Sequence, residues 1–301
     1  MYPRGFRLRG VVAAILGASL WTVACQGDGD AVSAAGNTSM DPTGGTAPGT
    51  TVNLLPPAPV EEPVEIDLAP LRTAVEAAPD DPAARRRLGM ALHRSRLRNE
   101  AIEQFERAAE LAPTERSILD LALAYGSVSR LDEAEAAYRR ILEQQPDHPI
   151  VLHNLGNLSI KRGNIEGSLA FYERALRARP GYVLAQFHLA ESLRKLDRVQ
   201  EAYEAYEAVL GTDPTTTQEL AAYDDSLYRM ASLQMRVGEY QQAGAMLQEL
   251  VRQNPRHPSA HYALGQALLH AGREEAAQRE FDLHMQVLAE LRPDAPAAME
   301  D

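Results

Sequence analysis

The distribution of apolar and polar residues changes near residue 66. From there to about residue 291, leucine, alanine and bulky residues recur at intervals of three and four, which places side chains on one face of a helix. Prolines interrupt these stretches at intervals of 33, 34, 34 and 41 residues, at Pro113, Pro146, Pro180, Pro214 and Pro255. Because proline ends a helix and such a period is typical of stacked repeats, the pattern predicts an array of helical units.

Each period contains the same two pairs of positions. The first pair is a large apolar residue followed by a small one, at 88–89, 121–122, 155–156, 189–190, 230–231 and 264–265. The second pair is a small residue with a bulky one four positions later, at 101/105, 134/138, 168/172, 202/206, 243/247 and 277/281. A small residue lets a neighbouring helix approach closely, and the i, i+4 spacing places both residues on one face. The pattern predicts two helices per period, packed through the bulky residues.

These paired positions resemble the tetratricopeptide repeat, and six copies stay in phase over residues 82–292. The resemblance implies an all-α fold, a right-handed superhelical solenoid of about six helical hairpins. Residues 66–81 are predicted to form an N-terminal capping helix, and residues 293–301 a disordered tail. The stretch 215–223 lengthens the fifth period, which predicts either a longer first helix or a loop.

The first 24 residues have the pattern of a signal peptide. Arginines precede an apolar stretch from Val11 to Val23, which is too short to span a bilayer. The tetrapeptide 22–25 resembles a bacterial lipobox, which implies that Cys25 is lipidated; the alternative is ordinary cleavage after Ala24. By the sorting rule of that family, Gln26 implies the outer membrane. Cys25 is the only cysteine of the chain, so it has no intramolecular disulfide partner.

Residues 25–65 combine the predicted lipidated cysteine with a stretch rich in glycine, threonine and proline. This stretch has little to bury, so we expect a disordered linker between the membrane and the array. The chain carries a formal net charge of −12. Nucleic-acid binding requires a basic surface, so this charge argues against a nucleic-acid partner.

In tetratricopeptide repeats the first helices line a concave groove, and the family's groove positions carry over to this chain. They place aromatic rings beside hydrogen-bonding side chains, a combination that can hold an extended peptide or a helix of a partner protein. The alternative is that the rings pack on neighbouring helices. The predicted groove residues are His153, Asn157, Phe187, Glu191, Arg194, Tyr228, Tyr262 and Gln266.

The first repeat is unusually basic, with six arginines and no acidic residue in residues 82–99. We interpret Arg94, Arg96 and Arg98 as a docking patch for an acidic partner or anionic lipid headgroups; the alternative is a solvated helix surface. The lysine and asparagine clamp of chaperone-binding relatives is not matched, because Arg86 and Met90 stand at its positions in the first repeat.

The histidines are the only candidates for metal chemistry. His257 and His261, and likewise His148 and His153, are spaced closely, but neither pair has the third and fourth ligands that a metal site needs. Nucleophile, phosphate-loop and zinc-protease motifs are missing from the sequence. We therefore expect no metal, no cofactor and no enzymatic activity.

Together these features predict a membrane-anchored scaffold or adaptor of the bacterial cell envelope that binds a partner protein in its concave groove. The expected location is the outer membrane, facing the periplasm. Architectural analogy to envelope proteins of this shape suggests the assembly of an envelope, secretion or pilus complex. The alternatives are a structural homo-oligomer and an enzyme or metal carrier. The sequence does not indicate which protein is bound.

Overall fold

The computed structural model describes residues 66–291, which form thirteen α-helices and no strand. The helices are α1 Ala69–Ala77, α2 Pro82–Arg94, α3 Arg98–Leu111, α4 Glu115–Ser127, α5 Leu131–Gln144, α6 Pro149–Lys161, α7 Ile165–Ala178, α8 Val183–Lys195, α9 Val199–Leu210, α10 Thr217–Arg236, α11 Tyr240–Gln253, α12 Ala260–His270 and α13 Glu274–Leu291. The predicted signal peptide, Cys25, the linker and the C-terminal tail lie outside the described residues.

Helices α2 to α13 pair in sequence into six hairpins. Each first helix packs mainly against the second helix of its own hairpin, and each second helix packs against the first helix of the next hairpin. The first helices also contact one another from α6 to α12. We call the surface formed by the first helices the inner surface. The predicted all-α solenoid of about six hairpins is confirmed.

The turn inside each hairpin uses one residue in the left-handed backbone region. In the third hairpin this is Gly163, with φ of 79°, and the amide that follows it, at Asn164, donates to the carbonyl of Ser159. This bond satisfies a carbonyl left open by the end of the first helix. The left-handed residues of the six turns are Arg96, Ser129, Gly163, Asp197, Gly238 and Gly272.

The ends of the helices follow the prolines and the polar caps. All five repeat-spaced prolines fall in the connections between hairpins, after the second helix has ended. The residues that lengthen the fifth period extend α10, which has 20 residues. The Thr216 side chain accepts from the Glu219 amide, and the Glu219 side chain accepts from the Thr216 amide, so a capping box starts this helix.

The core lies between the two helices of each hairpin, where the paired positions meet. In the third hairpin a Cβ atom on Gly156 would lie 2.4 Å from the ring of Tyr172, which is 1% exposed. Gly89 and Gly265 face the rings of Phe105 and Phe281 in the same way. The small residues therefore leave the space that a bulky side chain of the second helix occupies, as their spacing predicted.

Helix α1 covers the first hairpin. It has no fully buried residue of its own, but Leu68, Leu71 and Val75 pack against the buried cluster around Leu88 and Leu92. This position agrees with the predicted capping helix. None of the helices within residues 66–291 combines the length and the apolar character needed to cross a bilayer.

Candidate functional site

The predicted groove residues of the third hairpin lie in a closed network. The His153 side chain is buried, with its ring centroid 5.2 Å from that of Tyr182 and 5.1 Å from that of His188. The Tyr172 hydroxyl donates to Asn157 Oδ1 at 2.7 Å, and Asn157 Nδ2 lies 3.4 Å from His153 Nε2. These polar groups already have partners within the chain.

Burial changes the protonation of this network. The buried environment, with a smaller contribution from the nearby imidazole of His188, lowers the pKa of His153 to about 4. Burial also lowers the pKa of His188. Both imidazoles are therefore neutral at physiological pH, and the network acts as part of the core rather than as a charged contact surface.

Glu191 and Arg194 of α8 form part of an ion-pair network in the fourth hairpin. The carboxylate accepts two hydrogen bonds from Arg194, at 3.1 and 2.9 Å, and lies 3.2 Å from Arg229 Nε of α10. The Tyr206 hydroxyl also donates to it. Burial alone would raise the pKa of Glu191, but the hydrogen bonds and cations lower it on balance. The carboxylate stays charged and is already fully engaged.

Phe187 of the same helix is half-buried rather than free. Its ring packs beside the buried cluster of Val183, Val209 and Ala222, and its centroid lies 5.5 Å from that of His188. The alternative interpretation of the predicted groove rings, that they pack on neighbouring helices, therefore applies to Phe187.

A different environment surrounds the groove residues of the fifth and sixth hairpins. Here the inner surface contains a cavity of about 340 Å³ between α10, the start of α11 and α12. Two predicted groove residues, Tyr228 and Gln266, line it. The full lining is Tyr228, Ser232, Met235, Arg236, Tyr240, Ala263, Gln266 and His270. We call this the 5–6 cavity.

Several polar groups of the 5–6 cavity have no partner in the part of the chain that the structure describes. The Tyr228 hydroxyl, the Gln266 amide and the Arg236 guanidinium make no hydrogen bond or ion pair with residues 66–291. The Ser232 hydroxyl donates to the Tyr228 carbonyl at 2.8 Å. These groups are therefore available to a ligand, unlike their counterparts around Asn157 and Glu191.

The contrast follows from the bulky residue on each second helix. In the third and fourth hairpins this residue is a tyrosine, and its hydroxyl binds the polar groove residue opposite, Asn157 or Glu191. In the fifth and sixth hairpins it is Leu247 or Phe281, which has no hydroxyl to donate. Comparing the bulky residue of each second helix with the groove residue opposite it would have distinguished the bound Asn157 and Glu191 from Gln266, which is unpaired in the described chain.

The last predicted groove residue, Tyr262, is 43% exposed and does not line the 5–6 cavity. Its ring lies against Phe281 and His284, with centroid distances of 5.6 and 5.4 Å. Conversely, Tyr240 could not be expected in the site from the repeat pattern, because it starts a second helix. The Gly238 turn places it at the rim, where it stacks on His270.

A family model described as tetratricopeptide repeat matches residues 68–116, 119–183, 154–215 and 228–284. The chain belongs to the tetratricopeptide repeat family. It is 29% identical over 112 residues to tetratricopeptide repeat protein 21B of Mus musculus. That match covers 37% of this chain but only 8% of the mouse protein. The similarity is therefore confined to a stretch of repeats.

Solved structures of low sequence identity share the fold of these tetratricopeptide repeats. A crystal structure of MamA protein matches with a TM-score of 0.50 and 17% identity, covering 61% of this chain and 96% of that one. The APC/C heterotetramer Cut9–Hcn1 matches with a TM-score of 0.56 and 14% identity, covering 76% of this chain and 44% of that one. At these identities the likeness concerns the fold alone.

The basic patch of the first tetratricopeptide repeat lies at the tip of its hairpin. Arg94, Arg96 and Arg98 are exposed, and Leu97 between them is 40% exposed. Arg94 and Arg98 form no ion pair within residues 66–291, whereas Arg86, nearer the start of α2, pairs with Asp120 at 3.2 Å. Arg94 and Arg98 are thus more available than Arg86.

The closely spaced histidines of these repeats are held by protein groups. His261 lies 2.7 Å from Glu280 and 2.9 Å from the Pro255 carbonyl, and His148 lies 3.0 Å from Glu115. Within residues 66–291 no group of three or more histidine, cysteine or acidic side chains converges as metal ligands would. These contacts give the histidines structural roles at the connections between hairpins.

Proposed function

We propose that this chain is a scaffold that binds a segment of a partner protein in the 5–6 cavity. Tetratricopeptide repeat proteins act in protein–protein interaction, and the chain belongs to that family. The observation that carries the proposal is the set of unpaired polar groups around an open cavity, next to a network in which the equivalent groups are paired. A ligand can bind the unpaired groups without breaking internal hydrogen bonds.

The composition of the cavity supports a peptide as the ligand. Tyr228 and Met235 offer apolar area, and Gln266 offers a donor and an acceptor for a peptide backbone. A volume of about 340 Å³ holds a few side chains rather than a folded domain. A scaffold without catalytic activity is therefore the role that we propose.

Site-specific photocrosslinking tests this role. We would place benzoylphenylalanine at Gln266 in the cavity and, as a matched control, at Gln248, an exposed residue of α11 that does not line the cavity. Crosslinking would be carried out in native envelope extract, and the Tyr228→Ala variant would be compared in the same background. We expect a discrete adduct from position 266 that Tyr228→Ala reduces at least tenfold, and none from position 248.

Equal adducts from positions 266 and 248, or an adduct that Tyr228→Ala leaves unchanged, would contradict the proposal. Circular dichroism of each variant shows whether the array is still folded. The Tyr228 ring is partly buried beside His257, with a centroid distance of 5.5 Å, and we expect its removal to lower stability but to leave the array folded.

We also propose that the chain is anchored through a lipid on Cys25 and works in the bacterial cell envelope, at the outer membrane. The resemblance of residues 22–25 to a lipobox supports this proposal. Several acyl chains give stable anchoring, whereas one gives only marginal binding. Metabolic labelling with palmitate should mark the native chain but not a Cys25→Ala variant, and the variant should leave the membrane fraction. A variant that still sediments with membranes would contradict the anchor.

The exposed tip at Arg94, Arg96 and Arg98 stays a predicted docking patch. Charge reversal of all three to glutamate should weaken recruitment to an acidic partner or anionic vesicle at low salt, because the attraction is screened only beyond about 10 Å at 0.1 M salt. Unchanged flotation with phosphatidylglycerol vesicles and unchanged partner capture would leave the arginines as a solvated surface.

A further inference from the structure

The 5–6 cavity carries positive charge in an acidic protein. Arg236, at the end of α10, and His270, at the end of α12, are both among its lining residues. None of the lining residues is acidic. The chain as a whole has a formal net charge of −12, so the local charge of this site is opposite to that of the molecule.

Arg236 has no ion-pair partner in the part of the chain that the structure describes, whereas three other arginines in the same part of the fold do. Arg252 pairs with Glu249 at 2.5 Å, Arg229 pairs with Glu191 at 3.2 Å, and Arg256 pairs with Glu290 at 2.5 Å. Arg236 has no such carboxylate within residues 66–291. An arginine whose donors are unoccupied favours a bidentate anion, and a hydrogen bond between charged groups is stronger than a neutral one.

The second polar group, the imidazole of His270, is held in place by an aromatic stack. The rings of His270 and Tyr240 are nearly parallel, with an interplanar angle of 8° and a centroid distance of 4.2 Å. This stack fixes the imidazole at the rim of the cavity, where a ring N–H can donate a hydrogen bond to an anion. Because Tyr240 and His270 come from different hairpins, the geometry exists only when the fifth and sixth hairpins are packed together.

We propose that the 5–6 cavity recognises an acidic peptide segment, with a carboxylate held by Arg236 and His270 and an adjacent apolar side chain held against Tyr228 and Met235. The inference rests on the proposed function and specifies the chemistry of the partner. The shared chemistry is a carboxylate, which can come from an aspartate or glutamate side chain or from a peptide C-terminus. Side-chain recognition fits a cavity on the path of a continuous inner surface.

A peptide library tests the proposal directly on the full chain. We would use random nine-residue peptides, acetylated and amidated in one arm and with a free C-terminus in the other, and identify the retained peptides by sequencing. We expect aspartate or glutamate to be enriched at one position in the amidated arm. Changing that residue to asparagine or glutamine should weaken binding at least tenfold, as measured by fluorescence polarisation.

A double-mutant cycle assigns the effect to the site. In Arg236→Gln, the acidic peptide and its amide counterpart should bind equally, and Arg236→Lys should keep part of the preference. In the control Arg252→Gln, which removes a paired arginine on α11, the preference should be unchanged. Arg236 is exposed, so its replacement leaves the fold intact.

Three outcomes overturn the inference. If neutral peptides are selected and their binding is lost in Tyr228→Ala, the charge assignment is wrong while the proposed function stands. If acidic peptides bind but ignore Arg236→Gln, recognition lies elsewhere on the chain. If no peptide is retained above the Tyr228→Ala background in either arm, the inference and the proposed function both fail.

Discussion

The inner surface has two regions that look alike in sequence and differ in structure. In the third and fourth hairpins, Asn157 and Glu191 are bound by tyrosine hydroxyls from the second helices and lie among buried rings and ion pairs. In the fifth and sixth hairpins, Gln266 has no such partner within the described chain, and a cavity opens beside it. Equivalent repeat positions therefore stabilise the array in one region and are available to a ligand in the other.

The difference shows that equivalent groove positions differ in whether a side chain of the second helix already binds them. A tyrosine at the bulky position packs in the core with its ring and satisfies the groove residue with its hydroxyl. Phe281 at the same position of the sixth hairpin has no hydroxyl to bind Gln266. In the fifth hairpin, opposite Leu247, Ser232 donates to the Tyr228 carbonyl of its own helix instead. One hydroxyl oxygen thus separates the bound side chains of Asn157 and Glu191 from the amide of Gln266, which is unpaired within residues 66–291.

We call the third and fourth hairpins the closed region and the fifth and sixth hairpins the open region. The largest expected effect comes from removing a buried ring, that of Tyr172, from the closed region. Tyr172→Ala should lower the free energy of unfolding by about 3–5 kcal/mol, because it removes a buried aromatic side chain and leaves a cavity. Tyr228→Ala, in the open region, should lower it by less, because this ring is only partly buried. Urea unfolding followed by circular dichroism measures both. Similar losses for the two variants would contradict the distinction between the regions.

Acid should weaken the closed region specifically. The pKa of His153 is lowered to about 4 in the fold, while an unfolded histidine titrates near 6.5. Between these values the unfolded state takes up a proton that the folded state does not, so stability is retained above about pH 6.5 and falls as the pH decreases.

The contribution of His153 to this loss is about 3 kcal/mol by pH 4. The buried His188 acts in the same direction. Urea midpoints measured from pH 7.5 to 4.5 should fall less steeply in His153→Gln than in the native chain. An unchanged slope in the variant would show that His153 is already protonated or solvated in the fold.

A matched pair of glycine substitutions compares the tightness of the two regions. An added Cβ at Gly156 or at Gly265 would lie about equally close to a ring, 2.4 Å from Tyr172 or 2.5 Å from Phe281. Tyr172 is enclosed, so Gly156→Ala should destabilise the array by about 1–3 kcal/mol. Phe281 is only partly buried on the last helix, so its ring should shift at lower cost and we expect Gly265→Ala to destabilise the array less than Gly156→Ala does. Equal unfolding midpoints for the two variants would contradict this difference.

The smallest expected effect would convert the open region toward the closed one. Phe281→Tyr adds the missing hydroxyl opposite Gln266, in the arrangement that Tyr172 and Asn157 show in the third hairpin. One additional hydrogen bond of about 0.5–1.5 kcal/mol should weaken peptide binding a few-fold, because the ligand must compete for the amide. Fluorescence polarisation measures this change, and Phe281→Leu is the control. Tighter binding in Phe281→Tyr would contradict the competition.

Much of the fold could be predicted because its pattern is local and repeated. The pairs at 155–156 and 168/172 indicate a close approach between the two helices of one hairpin, and the same approach is found in each repeat that has glycine there. The prolines mark the ends of second helices in five successive units. The candidate site was harder to predict, because the same groove positions include enclosed residues such as His153 and open ones such as Gln266.

By itself the sequence determined the all-α class, the hairpin repeat and the extended fifth unit, since each depends on spacing along the chain and on residues that end helices. The tertiary structure decided which polar side chains are already bound. That outcome depends on contacts between residues 15 or more positions apart, such as the Tyr172 hydroxyl with Asn157, or the stack of Tyr240 on His270 across two hairpins. Periodicity identifies the face on which a residue lies, but only packing determines whether its hydrogen bonds are free.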